Sequence, residues 1–192
     1  MFAIIKIMNT FAVLIRGINV GGKNKIPMAE LKSCLEKLGF SDVTTYIASG
    51  NVMLRSKKSA QEVKDKIEEM LPSSFKLDSK LIKVLVLAAD QLQAIVDNKP
   101  NGFGEQPDKY HSDAIFLMDI DAIEAMQVFN PREGVDTIWA GDGVVYSQRL
   151  SALRTKSRLS KIMGTPAYKS MTIRTWNTTE KLLEILNDVH LR

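Results

Sequence analysis

Cysteine is nearly absent. Cys34 is the only one in 192 residues, so no intramolecular disulfide forms and no thiolate cluster is available for zinc or an iron–sulfur centre. Histidine is almost as scarce, with His111 and His190 alone, and nothing in the spacing of the carboxylates marks a magnesium or calcium site. Neither a metal nor a cofactor is expected. No apolar run approaches the ~20 residues that span a bilayer, so no membrane partner is expected either. The apolar opening over residues 1–15 is interrupted by Lys6 and followed by no small-x-small cleavage site; it reads as the chain start and first strand of a cytoplasmic protein. Aromatic residues make up 7% of the chain, and Phe11 and Tyr46 are too isolated to form the aromatic pair of an RNA-recognition sheet.

What is present is a globular balance, 45% hydrophobic and 25% charged, which excludes a disordered or collagen-like chain. At this length folding buries roughly 70% of the unfolded surface, enough for one large domain or two small ones. The net charge of +4 is modest for a dedicated nucleic-acid binder, but it is unevenly spread: residues 1–100 carry +5 and residues 101–192 carry −1. No acid falls between Asp142 and Glu180, where Arg149, Arg154, Lys156, Arg158, Lys161, Lys169 and Arg174 are found, and none precedes Glu30, a stretch that holds Arg16, Lys23 and Lys25. Such intervals are either solvated faces or surfaces for an anionic partner, and in both cases they are expected to be exposed.

The apolar pattern predicts two similar halves. Residues 10–16 form a buried strand; a loop rich in glycine and asparagine follows, and Pro27 opens a helix in which Met28, Leu31, Leu35 and Leu38 share a face, closed by Gly39. Residues 43–48 and 52–55 form a hairpin around Ser49-Gly50-Asn51, residues 60–71 a helix and residues 81–87 a strand, giving βαββαβ. After a helical connector over 90–97 the pattern repeats. It has a strand at 114–118, a helix at 122–129, a hairpin over 137–140 and 144–147, a short helix at 157–163, a strand at 171–174 and a final helix at 178–189. The expected fold is therefore α+β, two tandem ferredoxin-like subdomains with a C-terminal helix. The N-terminal subdomain covers residues 1–88, the connector 89–110 and the C-terminal subdomain with its helix 111–192. In such a topology residues 17–26, 48–51 and 72–80 meet at one end of the first sheet, and residues 148–157 meet 174–178 in the second. The latter meeting would gather Arg149, Arg154, Lys156, Arg174 and Trp176.

The most distinctive segment is Arg16-Gly17-Ile18-Asn19-Val20-Gly21-Gly22-Lys23, between a strand and a helix. Its glycines permit positive φ and close approach of backbone amides to a ligand, and the helix N-terminus behind them favours an anion. The spacing fits neither a Walker loop nor a dinucleotide fingerprint, and a tight turn alone also accounts for the glycines. Ser49, Gly50 and Asn51 are turn residues that the topology brings beside this loop. Asn177 and Glu180 have the spacing of a capping box. Cys34 reads as a small buried residue, no serine has a plausible triad partner, and no carboxylate pair marks acid–base chemistry.

The run from Leu14 to Met28, the string Thr45-Tyr46-Ile47-Ala48-Ser49-Gly50-Asn51-Val52 and the string Thr172-Ile173-Arg174-Thr175-Trp176-Asn177-Thr178 together resemble a bacterial family catalogued as domain of unknown function 1697. The resemblance covers nearly the whole chain in order. It implies a small cytoplasmic bacterial protein of two α+β subdomains and implies no reaction. The family usually has asparagine where this chain has Thr175, so a ligand contact made by that asparagine would be weakened or altered here. Three functions remain open. The first is binding of a small phosphorylated or other anionic ligand through Arg16, Gly17, Asn19, Gly21, Gly22, Lys23, Ser49, Asn51 and Arg174. The second is binding of RNA or single-stranded nucleic acid through Arg149, Arg154, Lys156, Arg158 and Lys161. The third is an interaction protein, monomer or homodimer, without a ligand.

Overall fold

Side chains from Thr10 to Ile15 are buried on both faces of β1 (Asn9–Arg16), which is why this strand is a continuous apolar run rather than an alternating one. The computed structural model describes residues 7–78 and 82–191. The chain divides into two compact units, Gln93–Lys181 forming one and the chain before and after it the other.

In the first unit β1 leads through a loop to α1 (Met28–Lys37), which Pro27 opens and which ends before Gly39 at φ +87. β2 (Ser41–Tyr46) and β3 (Asn51–Ser56) form the hairpin. α2 (Ala60–Ser74) starts from a capping box in which Ser59 and Glu62 each accept from the other's backbone amide, and β4 (Lys83–Ala88) completes a sheet. Leu81, expected in that strand, and the opening residues 1–6 lie outside the described residues. The sheet is antiparallel throughout, in the order β2-β3-β1-β4. Leu31 and Leu35 of α1 and Val63 and Ile67 of α2 pack with Val13, Ile15, Val52 and Leu54 in one apolar cluster. Because β1 runs against both neighbours, the chain leaves β1, turns from β2 to β3 and enters β4 at the same end of the sheet.

α3 (Ala89–Asp97) connects to the second unit. There β5 (Tyr110–Leu117), β6 (Asp136–Gly141), β7 (Val144–Leu150) and β8 (Met171–Thr175) form a second antiparallel sheet in the order β6-β7-β5-β8. α4 (Ala122–Met126), capped by Asp121, is shorter than the pattern predicts. The helix expected over 157–163 is absent: three 3₁₀ segments, Ser151–Lys156, Leu159–Gly164 and Pro166–Ser170, link β7 to β8. Gly164 and Pro166 stop any helix at residue 163, which leaves only about two turns, and a segment that short keeps the tighter 3₁₀ bonding. Leu159 and Ile162 still enter the cluster with Ile115, Val145 and Met171, so the segment does the packing of a helix without forming one. α5 (Trp176–His190) begins two residues before the expected start. No helix among the described residues is long and apolar enough to cross a membrane.

Phe103 meets Tyr146 and Trp176 edge to face, with ring centroids 5.2 and 5.0 Å away. Tyr146 donates its hydroxyl to Ile95 O at 2.6 Å, and burial pushes its ionisation up to about 12. Gly104, at φ +76, lies against the indole of Trp176, and a Cβ there would collide with that ring.

Asp136, at the start of β6, ties the 3₁₀ region to the sheet: its Oδ2 accepts from Arg158 N at 2.8 Å and Arg132 N at 3.0 Å. Burial pushes this carboxyl up, but the Arg158 amide, the Ser157 hydroxyl, the Arg132 amide and the Arg149 charge together hold it below the ordinary aspartate value. Its ionised form therefore stabilises the fold above about pH 4, and that contribution disappears as pH falls through the lowered value. Asp136→Asn should cost about 1–2 kcal/mol at pH 7 by urea denaturation. The difference from the unaltered chain should shrink as the titration is carried down to pH 3.

Candidate functional site

The loop between β1 and α1 carries the sequence's most distinctive motif, and its backbone is bound on every side. Asn19, at φ +54, donates its side-chain amide to Ile26 O at 3.0 Å and to Ala48 O at 2.8 Å, and its Oδ1 accepts from Ile26 N at 2.8 Å. One side chain thus joins the strand exit, the helix entrance and the β2–β3 hairpin. Asn24 donates to Gly17 O at 2.7 Å and exchanges a reciprocal pair with Asp78, its own amide to Asp78 Oδ2 and the Asp78 amide to its Oδ1, each at 2.7 Å. Asn51 is fully buried and donates to Tyr46 O and Ser49 Oγ across the hairpin. Ile15 N donates to Gly50 O at 2.8 Å, and a Cβ on Gly50 would lie 2.6 Å from Ile15 O. Of the expected meeting of residues 17–26, 48–51 and 72–80, the part up to Asp78 is observed, and residues 79–80 lie outside the described residues.

At the tip, Lys23 N donates to Val20 O at 3.1 Å, with Gly21 at φ +59 and Gly22 at φ +76. This is the pattern of a two-residue turn with positive φ at both central positions, which accounts for both glycines. Val20, Gly21, Gly22, Lys23 and Lys25 are exposed, whereas Arg16 and Gly17 are half-buried. Arg16 stands opposite Lys83 in the register of β1 and β4. On the hairpin side Ile47 has φ +48 and is 52% exposed, a strained setting for a β-branched residue. The pairing of Asn24 with Asp78 is not legible in the sequence because it spans 54 residues.

Arg174 belongs to the second unit, is 7% exposed and donates to Thr172 Oγ1 and Ile173 O, and burial lowers its ionisation to about 10. The expected basic gathering in the second unit is resolved into different environments. Arg149 lies 3.6 Å from Asp113, Trp176 is buried against Phe103, and Arg154, Lys156 and Lys161 are exposed with Arg158 half-buried. Strand alternation turns Arg174 inward, since Arg174 and Thr175 point to opposite faces of β8. Thr175 Oγ1 accepts from Thr178 N at 3.3 Å and so caps α5 two residues before the expected Asn177 cap. Threonine and asparagine both serve at a helix N-cap, so the departure at Thr175 is compatible with the fold.

A polar cluster that sequence reasoning missed occupies one end of the second sheet. His111 and Asp113 alternate on one face of β5, and His111 Nε2 lies 3.1 Å from Asp113 Oδ1. Arg149 stands opposite both His111 and Asp136 in register. Burial pushes the Asp113 carboxyl up, against the pull of His111 and Arg149. The signal available beforehand was the His-x-Asp spacing on a strand. Among the described residues no group of three histidine, cysteine or acidic side chains is arranged for a metal ion.

A family model described as "Protein of unknown function (DUF1697)" matches residues 8–146, and the chain belongs to that family. A solved structure, described as that of conserved bacterial protein SP0830 from Streptococcus pneumoniae, is similar to this chain with a TM-score of 0.79 and 28% identity. The match covers 94% of this chain and 99% of that one. Among curated proteins, none matches the sequence.

Asn19→Gly keeps the left-handed backbone available and removes only the side-chain bonds. It should lower unfolding free energy by about 1–3 kcal/mol, read by urea denaturation, with far-ultraviolet circular dichroism unchanged at low denaturant.

Proposed function

We propose that this chain, whose family carries no assigned reaction, binds a small phosphorylated or otherwise anionic ligand at the loop end of its first sheet. One observation carries the reading: the exposed cations Lys23 and Lys25 stand on a loop whose backbone is already fixed by Asn19 and Asn24. A loop ordered before binding avoids the entropy cost of being ordered by the ligand. The acid in this frame, Asp78, accepts the Asn24 amide. Pro27 gives the first turn of α1 no side-chain acceptor, and the positive end of that helix favours an anion. The strained Ile47 beside the loop supports the same reading, because such backbone is retained mainly where the surroundings over-determine it. We read both sheets as ferredoxin-like, which the shared order of second, third, first and fourth strand in each unit supports. A bacterial cytoplasmic setting belongs to this reading, in keeping with the single cysteine.

A second reading, binding of single-stranded RNA, is favoured by the exposed Arg154, Lys156, Lys161 and Lys169 along the acid-free 3₁₀ segments. The two separate by salt: RNA held on phosphates loses affinity steeply as salt rises, whereas a small ligand loses little.

Gly21 and Gly22 are both at positive φ, so alanine is strained at either, and Lys23 is the informative position. In a thermal-shift screen of nucleotides, sugar phosphates and inorganic phosphate, at least one compound should raise Tm by mass action. Lys23→Glu should remove that rise while leaving the unliganded Tm within a degree or two, as expected of an exposed position. No stabilisation by any compound at saturating concentration ends the anion reading.

A further inference from the structure

A cavity of about 220 Å³ opens in the second unit, between the start of β5 and the first turn of α5. Its polar lining comes from Tyr110, His111, Ser112, Thr175 and Asn177. Two of these are already committed: Ser112 donates to Gln148 Oε1 at 2.8 Å, and Thr175 caps α5. His111 is tied on one side only, through Nε2 to Asp113. An ionised carboxylate can only accept, so Nε2 carries the hydrogen and Nδ1 remains for another partner. No carboxylate is among the described residues that line the cavity.

The charged groups around His111 fix what it can hold. Asp113, on the same strand, is shared with Arg149, whose Nη1 lies 3.6 Å from Oδ2. Arg149 in turn stands opposite Asp136, whose carboxylate accepts the Arg132 and Arg158 amides. In the loop before β5, Glu105 is paired with Lys99 at 2.9 Å, and Lys109 lies over the Tyr110 ring at 5.0 Å. Each nearby carboxylate thus has its own partner. The ionisable group with a ring nitrogen left over is His111, and a proton on that nitrogen would be matched by an oxyanion in the cavity.

We propose that this cavity is a binding site for a small oxyanion, a carboxylate or phosphate group, held by His111 in its protonated form together with the Asn177 amide. The volume admits such a group with a short substituent and is below the few hundred Å³ of drug-sized ligand pockets. The site is built from residues of the second unit alone and does not depend on the loop site of the first. Asp113 positions the imidazole, and protonation of Nδ1 converts it from an acceptor to a donor.

With only two histidines in the chain, ring signals in NMR test this directly. His190, bonded through Nδ1 to Thr10 Oγ1, belongs to the other unit and serves as the internal control. Acetate and inorganic phosphate are titrated separately against chloride of matched ionic strength at pH 6. Saturable movement of the His111 signals with either anion, His190 staying still, is the expected result, and the anion that binds more tightly identifies the ligand group. Acetate keeps one charge from pH 6 to pH 8, so it should bind several-fold more weakly at pH 8, where a neutral imidazole offers the anion no matching charge. Asn177→Ala, at an exposed position expected to leave the fold intact, should weaken binding severalfold, whereas Lys23→Glu should leave it unchanged. Signals of both histidines moving alike, no movement of His111, equal acetate affinity at the two pH values, or full binding by the Asn177 variant would each overturn the site.

Discussion

Three segments leave or enter the first sheet at one end, and their backbone amides and carbonyls fall outside its ladder, where each needs a partner. Asparagine side chains provide several of those partners. Asn19 is bound to both sides of Ile26 and to Ala48, Asn24 to Gly17 and Asp78, and Asn51 closes the hairpin onto Tyr46. A primary amide suits this work because it donates and accepts at once, and Asn19 and Asn24 also tolerate the left-handed backbone on which they sit. Remove these bonds and the loop end becomes segments that must be ordered separately, with the exposed lysines no longer on a fixed base.

The second unit solves the same problem with charge. Asp136 accepts amides from Arg132 and Arg158, while Arg149 lies beside Asp113 and opposite Asp136. These carboxylates are shifted in opposite directions, Asp113 upward by burial and Asp136 downward by its hydrogen bonds and the nearby arginine. Burial pushes both carboxyls up: at Asp113 it outweighs the pull of His111 and Arg149, whereas at Asp136 the Arg158, Ser157 and Arg132 hydrogen bonds and the Arg149 charge outweigh it. The arrangement at Asp136 is a structural tie. The one at Asp113 leaves a histidine, bonded through one ring nitrogen, at the edge of a cavity.

Much of the architecture was legible in the sequence because it depends on local period. The apolar run before Gly17, the face shared by Leu31 and Leu35, and the hairpin around Ser49-Gly50-Asn51 place their elements within a few residues of the observed bounds. The meeting of the three loops followed from strand order alone. Legibility failed where a residue's role depends on a distant partner. Asn19 bonds a carbonyl 29 residues away and Asn24 a carboxylate 54 residues away, so in the sequence Asn19 reads as a ligand contact and Asn24 only as part of an asparagine-rich loop. Arg174 was grouped with its basic neighbours in sequence, yet strand alternation sends it inward, where Thr172 and the Ile173 carbonyl receive it. The segment over 157–163 reads as a helix because Leu159 and Ile162 keep helical spacing, a spacing that 3₁₀ bonding in so short a piece also satisfies.

The central claim is that the loop end of the first sheet is one pre-ordered frame, and native-state hydrogen exchange tests it most directly. The amides of Ile15, Asn19, Asn24 and Ile26 are each donors within that frame. They should exchange together, with one opening free energy close to that of the β1 and β3 ladder. Independent exchange of these amides at rates near those of an open peptide, while the ladder stays protected, would contradict it.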